Sequence, residues 1–413
     1  MAFPAGLHAL GQREYRVYYA GNLVSQVGTW MQTVTQSWLV LQLTNSPFRL
    51  GLIATLQFGP ILLLSVFTGV LADRFTKRHL LVTTQAVQGC LALTLGLLVW
   101  SGRTAYWHVA TIAVFWGVMN AIDQPARQSF VMELAGREGV ASAVALNSAS
   151  FNAARIVGPA IAGVLIARVG LSPGFLLNAL AFAVAITTLL RVPARPPRPR
   201  TTPTTFVGDM AEGVAYAART GIVRFVLALQ VVVSFCVFNF TVYVPLLARN
   251  VLGQGSEGFG LLMTSLGIGA VLAGLSLGAL GSRQPPPAGI ALAVGSACGL
   301  LLGLALVRQF WAAALLLGLT GFAGTLVTAG CNTFLHLTAP DALRGRVMSL
   351  YTLLSSGVFP IGAFFVGFVS EARGVSTAFA VNGTLGLLAL ALLRPWVVRG
   401  AALSQPPRSG AAS

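Results

Sequence analysis

Long apolar segments, separated by short polar turns, follow one another along almost the whole chain. Segmentation by hydropathy gives twelve candidate helices, each about long enough to cross a bilayer. We number them spans 1 to 12, and they cover 18–43, 50–72, 79–100, 107–127, 143–168, 174–191, 222–248, 257–281, 288–307, 310–332, 345–370 and 375–394. The pattern predicts an all-α membrane protein with twelve transmembrane helices.

The composition agrees with this prediction. Of the 413 residues, 55% are hydrophobic and 9% are charged, whereas a soluble domain has about 25% charged residues. So few charges cannot cover a globular surface. The outer surface of the folded chain must therefore face lipid.

The net charge of +16 is compatible with nucleic-acid binding or with orientation in a membrane. The basic residues lie between apolar segments rather than in one patch, so we predict no nucleic-acid partner. With both termini in the cytoplasm, that side receives 19 Lys and Arg residues and the outside six. Cytoplasmic loops are enriched in these residues, so the asymmetry predicts this orientation. The N-terminus lacks a short apolar core with a cleavage site, so we expect no cleaved signal peptide.

The composition changes abruptly at 191–205, which reads RVPARPPRPRTTPTT. A stretch so rich in proline and arginine predicts a stiff cytoplasmic linker rather than a span. The next piece, 206–219, predicts an amphipathic helix on the membrane surface. The predicted domains are an N-terminal six-helix bundle at 1–190, the linker at 191–221, a C-terminal six-helix bundle at 222–394 and a cytoplasmic tail at 395–413.

The two halves share short patterns. Residues 69–74, GVLADR, recur 209 residues later as 278–283, GALGSR, and Gly51 falls on Gly260 at the same offset. Together with the central linker, these echoes predict an internal repeat. The acid of the first copy is replaced by Ser282 in the second, so the repeat has degenerated there.

The turn between spans 2 and 3 is short and charged. Residues 69–78, GVLADRFTKR, resemble motif A of the major facilitator superfamily of secondary transporters, whose pattern is G-x-L-A-D-R-x-G-R-K. The chain departs from the pattern at Thr76, where that family usually has glycine. The resemblance implies two pseudo-symmetric six-helix bundles, with the substrate site between them near the midplane.

The resemblance also implies a gate at the cytoplasmic side. In that family an acid near the end of span 4 closes a charge cluster with the basic residues of motif A. Asp123 holds this position and is expected to meet Lys77 or Arg78 when the protein opens outward; a static structural pair is the alternative. The predicted gate consists of Gly69, Asp73, Arg74, Lys77, Arg78, Asp123 and Arg127.

Span 5 contains a second, partial motif. Gly158, Pro159 and Gly163 resemble motif C of the antiporters, G-P-x-x-G-G, with Ala162 in place of one glycine. Small residues permit close contact between helices, and the proline bends the helix. In the family this motif is associated with exporters, so it favours efflux.

Polar side chains form a stripe along span 1. A polar group inside a bilayer is costly, so the stripe predicts a wet cavity; hydrogen bonding between packed helices is the alternative. The resemblance implies that spans 1, 4, 7 and 10 line this cavity. The predicted lining residues are Gln26, Trp30, Thr33, Gln36, Trp116, Asn120, Arg155, Asn239, Tyr243, Thr328 and Asn332.

Arg155 is the one charge deep within a predicted span, about two turns from its cytoplasmic end. It is expected either to bind an anionic or polar group of the substrate, or to pair with an acid. The alternatives are snorkelling towards the interface and a static ion pair.

None of the ten acids falls in the middle of a span, so proton antiport follows from the resemblance rather than from the residues. Asp123 is the best candidate proton carrier, with Glu257 and Glu371 as weaker candidates. No nucleotide-binding loop, metal cluster or nucleophile elbow occurs in the sequence. The four cysteines match no metal pattern. We therefore expect no enzyme activity, no metal site and no cofactor.

Taken together, the residues predict a secondary exporter of a hydrophobic or amphipathic small molecule. The segments DQPARQSF and LRGRVMSL resemble a bacterial branch of the superfamily that includes enterobactin exporters, which implies the bacterial cytoplasmic membrane. We expect a small-molecule substrate, protons and the lipid bilayer as partners, and a monomeric protein. The alternatives are a lysophospholipid or other lipid translocator and a transporter-like binding protein that does not cycle.

Overall fold

The computed structural model of the protein describes residues 5–195, 206–280 and 285–403. All secondary structure in these ranges is helical, which confirms the predicted all-α class. After a 3-10 helix at Ala5–Gly11 come α1 (Arg13–Thr44), α2 (Pro47–Arg74), α3 (Lys77–Trp100), α4 (Tyr106–Arg168), α5 (Ser172–Leu190), α6 (Phe206–Arg219), α7 (Gly221–Cys236), α8 (Phe240–Leu246), α9 (Ser256–Leu280), α10 (Pro287–Leu306), α11 (Phe310–Thr338), α12 (Asp341–Gly357), α13 (Phe359–Arg373) and α14 (Val375–Leu403).

Parts of the predictions fall outside the described residues. These are the central part of the linker at 196–205, the end of the repeated motif at 281–284 and the last part of the predicted tail at 404–413. The side chains of Asp73 and Arg74 in motif A also lie outside the described part, although α2 continues through both positions.

Spans 4 and 5 are two helices, at 106–135 and 137–168, which meet at a kink at Gly136 and share the label α4. Gly136 has φ 64° and ψ 172°, a conformation that only glycine adopts without strain. The first half of α4 therefore runs to residue 135 rather than ending at the predicted 127. Hydropathy missed this extension because the helix continues into a charged segment, where hydrogen bonding rather than apolarity maintains it.

Spans 7 and 11 are interrupted. Span 7 consists of α7, a break at residues 237–239, α8 and a π-helical turn at Leu247–Val251, and span 11 consists of α12 and α13. Pro245 lies within α8, and Pro360 lies in the first turn of α13. Proline removes a backbone donor, and a break of this kind is tolerated in a membrane where protein buries it or a cavity lines it.

Ten helical segments of the described chain are long and apolar enough to cross a membrane. The other two predicted spans, α1 and the first half of α4, are long enough but too polar to meet that criterion. Both helices carry amide, hydroxyl and aromatic side chains at positions predicted to line the cavity. Low hydropathy in these two helices is what a wet cavity requires, because they need not face lipid along their whole surface.

The helices group into two bundles, α1–α5 and α7–α14, and the surface helix α6 packs against α12. Two pairs of helices join the bundles: α4 with α9, and α2 with α13. We call the end of the bundles that holds the linker and the α2–α3 turn the linker end. The opposite end, which holds the α1–α2 turn, is the far end.

Each pair joins through facing glycines near the far end. A Cβ atom placed on Gly163 of α4 would lie 3.1 Å from the Cα of Gly260, and one placed on Gly51 of α2 would lie 2.9 Å from the Cα of Gly367. The backbones touch because neither side carries a side chain. Gly51 and Gly260 are the two glycines that the repeat aligned, so the pseudo-symmetry of the halves reappears in how they join.

Replacing Gly163 with alanine should loosen the far-end contact between the bundles. The new Cβ would lie 2.9 Å from the carbonyl oxygen of Ser256, so backbone must move, at a cost of about 1–3 kcal/mol. We expect lower thermal stability of the purified variant in detergent. Gly274→Ala in α9 is the matched control, since nothing lies within 4 Å of its Cβ position. Equal stability of the two variants would contradict the packing argument.

Candidate functional site

The polar stripe of α1 is partly buried in the structure. Gln26, Trp30 and Thr33 are half-buried rather than sealed in the core. The hydroxyl of Thr33 donates to the carbonyl oxygen of Thr29 at 2.9 Å, so the helix itself satisfies this donor. The buried Oε1 of Gln26 has no hydrogen-bond partner among the described residues. The amide of Gln26 and the indole of Trp30 are therefore the groups of α1 best placed to contact a ligand.

The fourth and tenth predicted spans supply further lining. Asn120 of α4 and both Thr328 and Asn332 of α11 are half-buried, while Trp116 is buried and packs its ring edge-to-face with Phe58 at 6.2 Å. Trp116 is therefore packed within the N-terminal bundle. The half-buried residues among the predicted lining carry amide and hydroxyl groups.

Two predicted lining residues on span 7 lie elsewhere. Tyr243 is 0% exposed, stacks on Phe379 of α14 at 4.3 Å, and accepts a hydrogen bond from Asn382. Asn239 is also buried: it donates to the carbonyl oxygen of Phe235 at 2.6 Å at the break before α8. The break shifts the helical phase, so the face assigned from an unbroken helix turns into the C-terminal bundle.

Gln36 lies at the top of the cavity, towards the far end. Its Nε2 donates to Oε1 of Gln57 on α2 at 2.8 Å, and both side chains are buried. A small void of about 10 Å³ borders this pair and is also lined by Thr33 and by Thr241 of α8, which is room for about one water molecule. Gln36 therefore closes the cavity rather than lining its open part.

Arg155 lies deeper than predicted. The second half of α4 begins at the break of Gly136, so Arg155 is 19 residues from that break, about 28 Å. Its guanidinium carbon lies 5.7 Å from the centre of the Trp30 ring, and Phe151 packs edge-to-face on the same ring at 5.7 Å. Among the described residues Arg155 makes no ion pair, and its buried Nε has no hydrogen-bond partner.

Asp123 is 3% exposed and forms an ion pair with Arg127 of the same helix. One carboxylate oxygen accepts from Nη2 and Nε of Arg127 at 2.6 and 2.8 Å, and the other accepts from the hydroxyl of Thr84 at 2.9 Å. Arg127 also donates to Asn22 of α1, and Asn22 reaches Asn147 in the second half of α4 at 3.5 Å. This polar network connects both halves of α4 through α1.

The basic residues of motif A have partners other than Asp123 in this structure. Lys77 forms an ion pair with Glu133 at 3.0 Å, and Arg78 donates to the carbonyl oxygen of Leu190 at 3.1 Å. The sequence identified Glu133 only as one of ten acids, because nothing in it shows that α4 continues far enough to reach Lys77.

Motif C lies where α4 contacts a helix of each bundle. A Cβ on Gly158 would lie 2.7 Å from the Cβ of Trp30, so this glycine lets α1 approach, while Gly163 lets α9 approach. The carbonyl oxygen of Pro159 lies 2.7 Å from the Cβ position of Gly260. The motif therefore holds the second half of α4 between the cavity helix α1 and the opposite bundle.

At the far end, two charged residues of the C-terminal bundle hold the turn between α1 and α2. Arg249 donates to the carbonyl oxygen of Leu41 near the end of α1 at 2.7 Å. Glu371 accepts from the hydroxyl of Ser46 at 2.8 Å and from the N–H of Phe48 at 3.0 Å, at the start of α2. The cation meets a helix C-terminus and the anion meets a helix N-terminus, so both charges suit the helix dipoles. We call these two contacts the far-end clasp.

Metal-ligating side chains do not cluster within the part of the chain that the structure describes.

A family model described as "Transmembrane secretion effector" matches residues 5–405. The chain belongs to this family of the major facilitator superfamily. It is therefore a multi-pass membrane transporter for small molecules and not an enzyme. The family assignment agrees with the resemblance inferred from motif A.

Curated relatives cover most of the chain. The Staphyloferrin A transporter of Staphylococcus aureus is 23% identical over 393 residues, covering 89% of this chain and 92% of the relative. The multidrug efflux pump Tap of Mycobacterium tuberculosis is 27% identical, covering 86% and 87%. The enterobactin exporter EntS of Shigella boydii is 24% identical, covering 92% of each chain.

Solved structures show the same fold. A bacterial homologue of the human lysosomal transporter Spinster, described as inward-facing and unoccupied, superposes with a TM-score of 0.74 at 13% identity, covering 98% of this chain and 99% of that one. The nucleoside transporter NupG (D323A mutant) superposes with a TM-score of 0.70 at 12% identity, covering 93% and 99%.

Replacing Glu371 with glutamine should weaken the far-end clasp, because the neutral amide is a poorer acceptor for the helix N-terminus. We expect faster labelling of a cysteine placed at Thr33, beneath the clasp, by a membrane-impermeant thiol reagent added at the far-end side. The background carries Cys90→Ser. Arg373→Gln, which changes an exposed charge two residues away, is the control. Unchanged labelling in the Glu371 variant would show that the clasp does not hold the far end closed.

Proposed function

We propose that this protein is a secondary exporter that moves a hydrophobic or amphipathic small molecule, drug-like or siderophore-like, out of the bacterial cytoplasm. The observation that carries the proposal is a set of half-buried amides, hydroxyls and aromatic rings on α1, α4 and α11, the helices that the resemblance assigns to the cavity between the bundles. Such a lining suits a large organic solute with both polar and apolar parts. The names of the curated relatives agree with this substrate class.

Alternating access is the proposed mode of transport. The two glycine contacts join the bundles near the far end, and the clasp adds hydrogen bonds between the bundles there. Outward opening requires these contacts to separate while the bundles stay in register. We propose a rocking motion of two nearly rigid bundles, with the linker end in the cytoplasm as the charge asymmetry predicts.

We propose that proton antiport drives export and that Asp123 carries the proton. Protonation would remove the charge that holds Arg127, and Arg127 also binds Asn22 on the cavity stripe of α1. A change at Asp123 would therefore reach a helix that lines the cavity. We expect the protein to act as a monomer, with protons as the coupling ion.

The test is transport of a fluorescent dye by the purified protein in liposomes, with and without an imposed pH gradient. We expect dye movement that speeds up with the gradient and collapses with an uncoupler. Movement that is indifferent to the gradient would contradict proton antiport but leave the exporter proposal intact. Absence of movement for a panel of drug-like dyes and siderophores would contradict the proposal itself.

Asp123→Asn should abolish the acceleration by the pH gradient, because the amide cannot carry the proton. Removing one partner of a buried pair costs about 3–5 kcal/mol, so the double variant Asp123→Asn with Arg127→Gln, which removes both charges, is measured beside it. Glu133→Gln, which breaks the ion pair with Lys77 in the same bundle, is the control and should keep the gradient response. A response that survives in the Asp123 variants would exclude Asp123 as the carrier.

A further inference from the structure

Among the residues that the structure describes, no acid balances the charge of Arg155. Seven of the ten acids are engaged elsewhere among the described residues: Glu14 with Arg195, Asp123 with Arg127, Glu133 with Lys77, Glu212 with Arg346, Glu257 with Arg168, Asp341 with Arg344, and Glu371 in the far-end clasp. Glu138 lies 17 residues before Arg155 on the same helix, about 25 Å away. Asp73 lies at the linker end of α2, and Asp209 lies on the surface helix α6.

The position of Arg155 also excludes simple snorkelling to the surface at either end. It lies 19 residues after the break at Gly136, at the linker end, and 13 residues before the end of α4 at Arg168, about 28 and 20 Å. Both distances are far beyond the reach of an arginine side chain. Its backbone packs against α9, where a Cβ on Gly267 would lie 3.0 Å from the carbonyl oxygen of Arg155. The residue therefore sits where α1, the second half of α4 and α9 of the opposite bundle meet.

One face of the Arg155 guanidinium contacts an aromatic ring, whereas its N–H donors have no hydrogen-bond partner among the described residues. Trp30 lies at cation–π distance, and Phe151 packs against the same indole ring. An aromatic face holds the guanidinium by its π electrons and leaves the N–H donors in the ring plane for another acceptor. The planar guanidinium matches a carboxylate, sulfonate or phosphate through two parallel hydrogen bonds.

We infer that the transported molecule carries an acidic group, and that Arg155 and Trp30 form its binding site. The inference rests on the proposed exporter function and names its substrate class: an organic anion with an aromatic or otherwise apolar body. The anion supplies the counter-charge that Arg155 lacks, its apolar part lies against Trp30 and Phe151, and the amide of Gln26 lies one helical turn from Trp30 on the same face of α1.

Binding by the purified protein in lipid nanodiscs tests this inference without transport. The probes are 2-naphthoate, 2-hydroxybenzoate and octanoate, each compared with its primary amide by calorimetry or tryptophan fluorescence. A charge-assisted hydrogen bond gives about a tenfold preference or more for each acid over its amide. Arg155→Gln should remove this preference, and Arg155→Lys, which keeps the charge but loses the planar fork, should restore part of it.

Arg49→Gln is the matched control. Arg49 makes the other cation–π contact seen in the described chain, at 5.2 Å from the Tyr106 ring, but at the far-end surface. Its replacement should leave the acid preference unchanged, and thermal unfolding checks that all variants are folded. Amides that bind as well as acids, or a preference that survives Arg155→Gln, would overturn the inference.

The outcomes separate this inference from the proposed function. Transport of neutral dyes in liposomes without any acid preference in nanodiscs would refute the anion site and leave the exporter proposal standing. An acid preference that depends on Arg155, in a protein that moves none of the dyes and siderophores, would support the site and refute the exporter proposal.

Discussion

The close approach of backbones at the paired glycines is the constraint on which the rest of this structure depends. The two bundles have no covalent connection except the linker, and lipid offers no hydrophobic force to press them together. Gly51 with Gly367 and Gly163 with Gly260 let the helices touch over a small area near the far end. The clasp and the position of Arg155 against α9 both follow from that contact.

Much of the fold could be predicted from the sequence because bilayer thickness imposes a length on each apolar segment. Hydropathy located the spans, and the charged turn at 69–78 identified the superfamily. Hydropathy could not place helix ends or breaks, since these depend on hydrogen bonds and on single residues such as Gly136. The extension of span 4 to residue 135 and the interruptions in spans 7 and 11 were missed for that reason.

The candidate site was predicted only in part. A stripe of polar side chains on a regular helix indicates which face of that helix is polar, and Gln26, Trp30 and Thr33 of this stripe are half-buried in the structure. The assignment of Tyr243 and Asn239 assumed an unbroken helix and was wrong once the break shifted the phase. Partners distant in sequence, such as Glu133 for Lys77, depend on tertiary packing, which the pattern of one chain does not contain.

The parallel stripes on α1 and α4 have a thermodynamic consequence. Asn22, Gln26 and Trp30 recur every four residues on α1, and Asn147, Phe151 and Arg155 do the same on α4, with contacts at both ends of the pair. The network of Asp123 therefore ends on the same two helices that hold the guanidinium. If a ligand bound near Arg155 shifts these helices, it changes the affinity of the Asp123 network for a proton. Linkage then requires that protonation change the affinity for the ligand by the same factor.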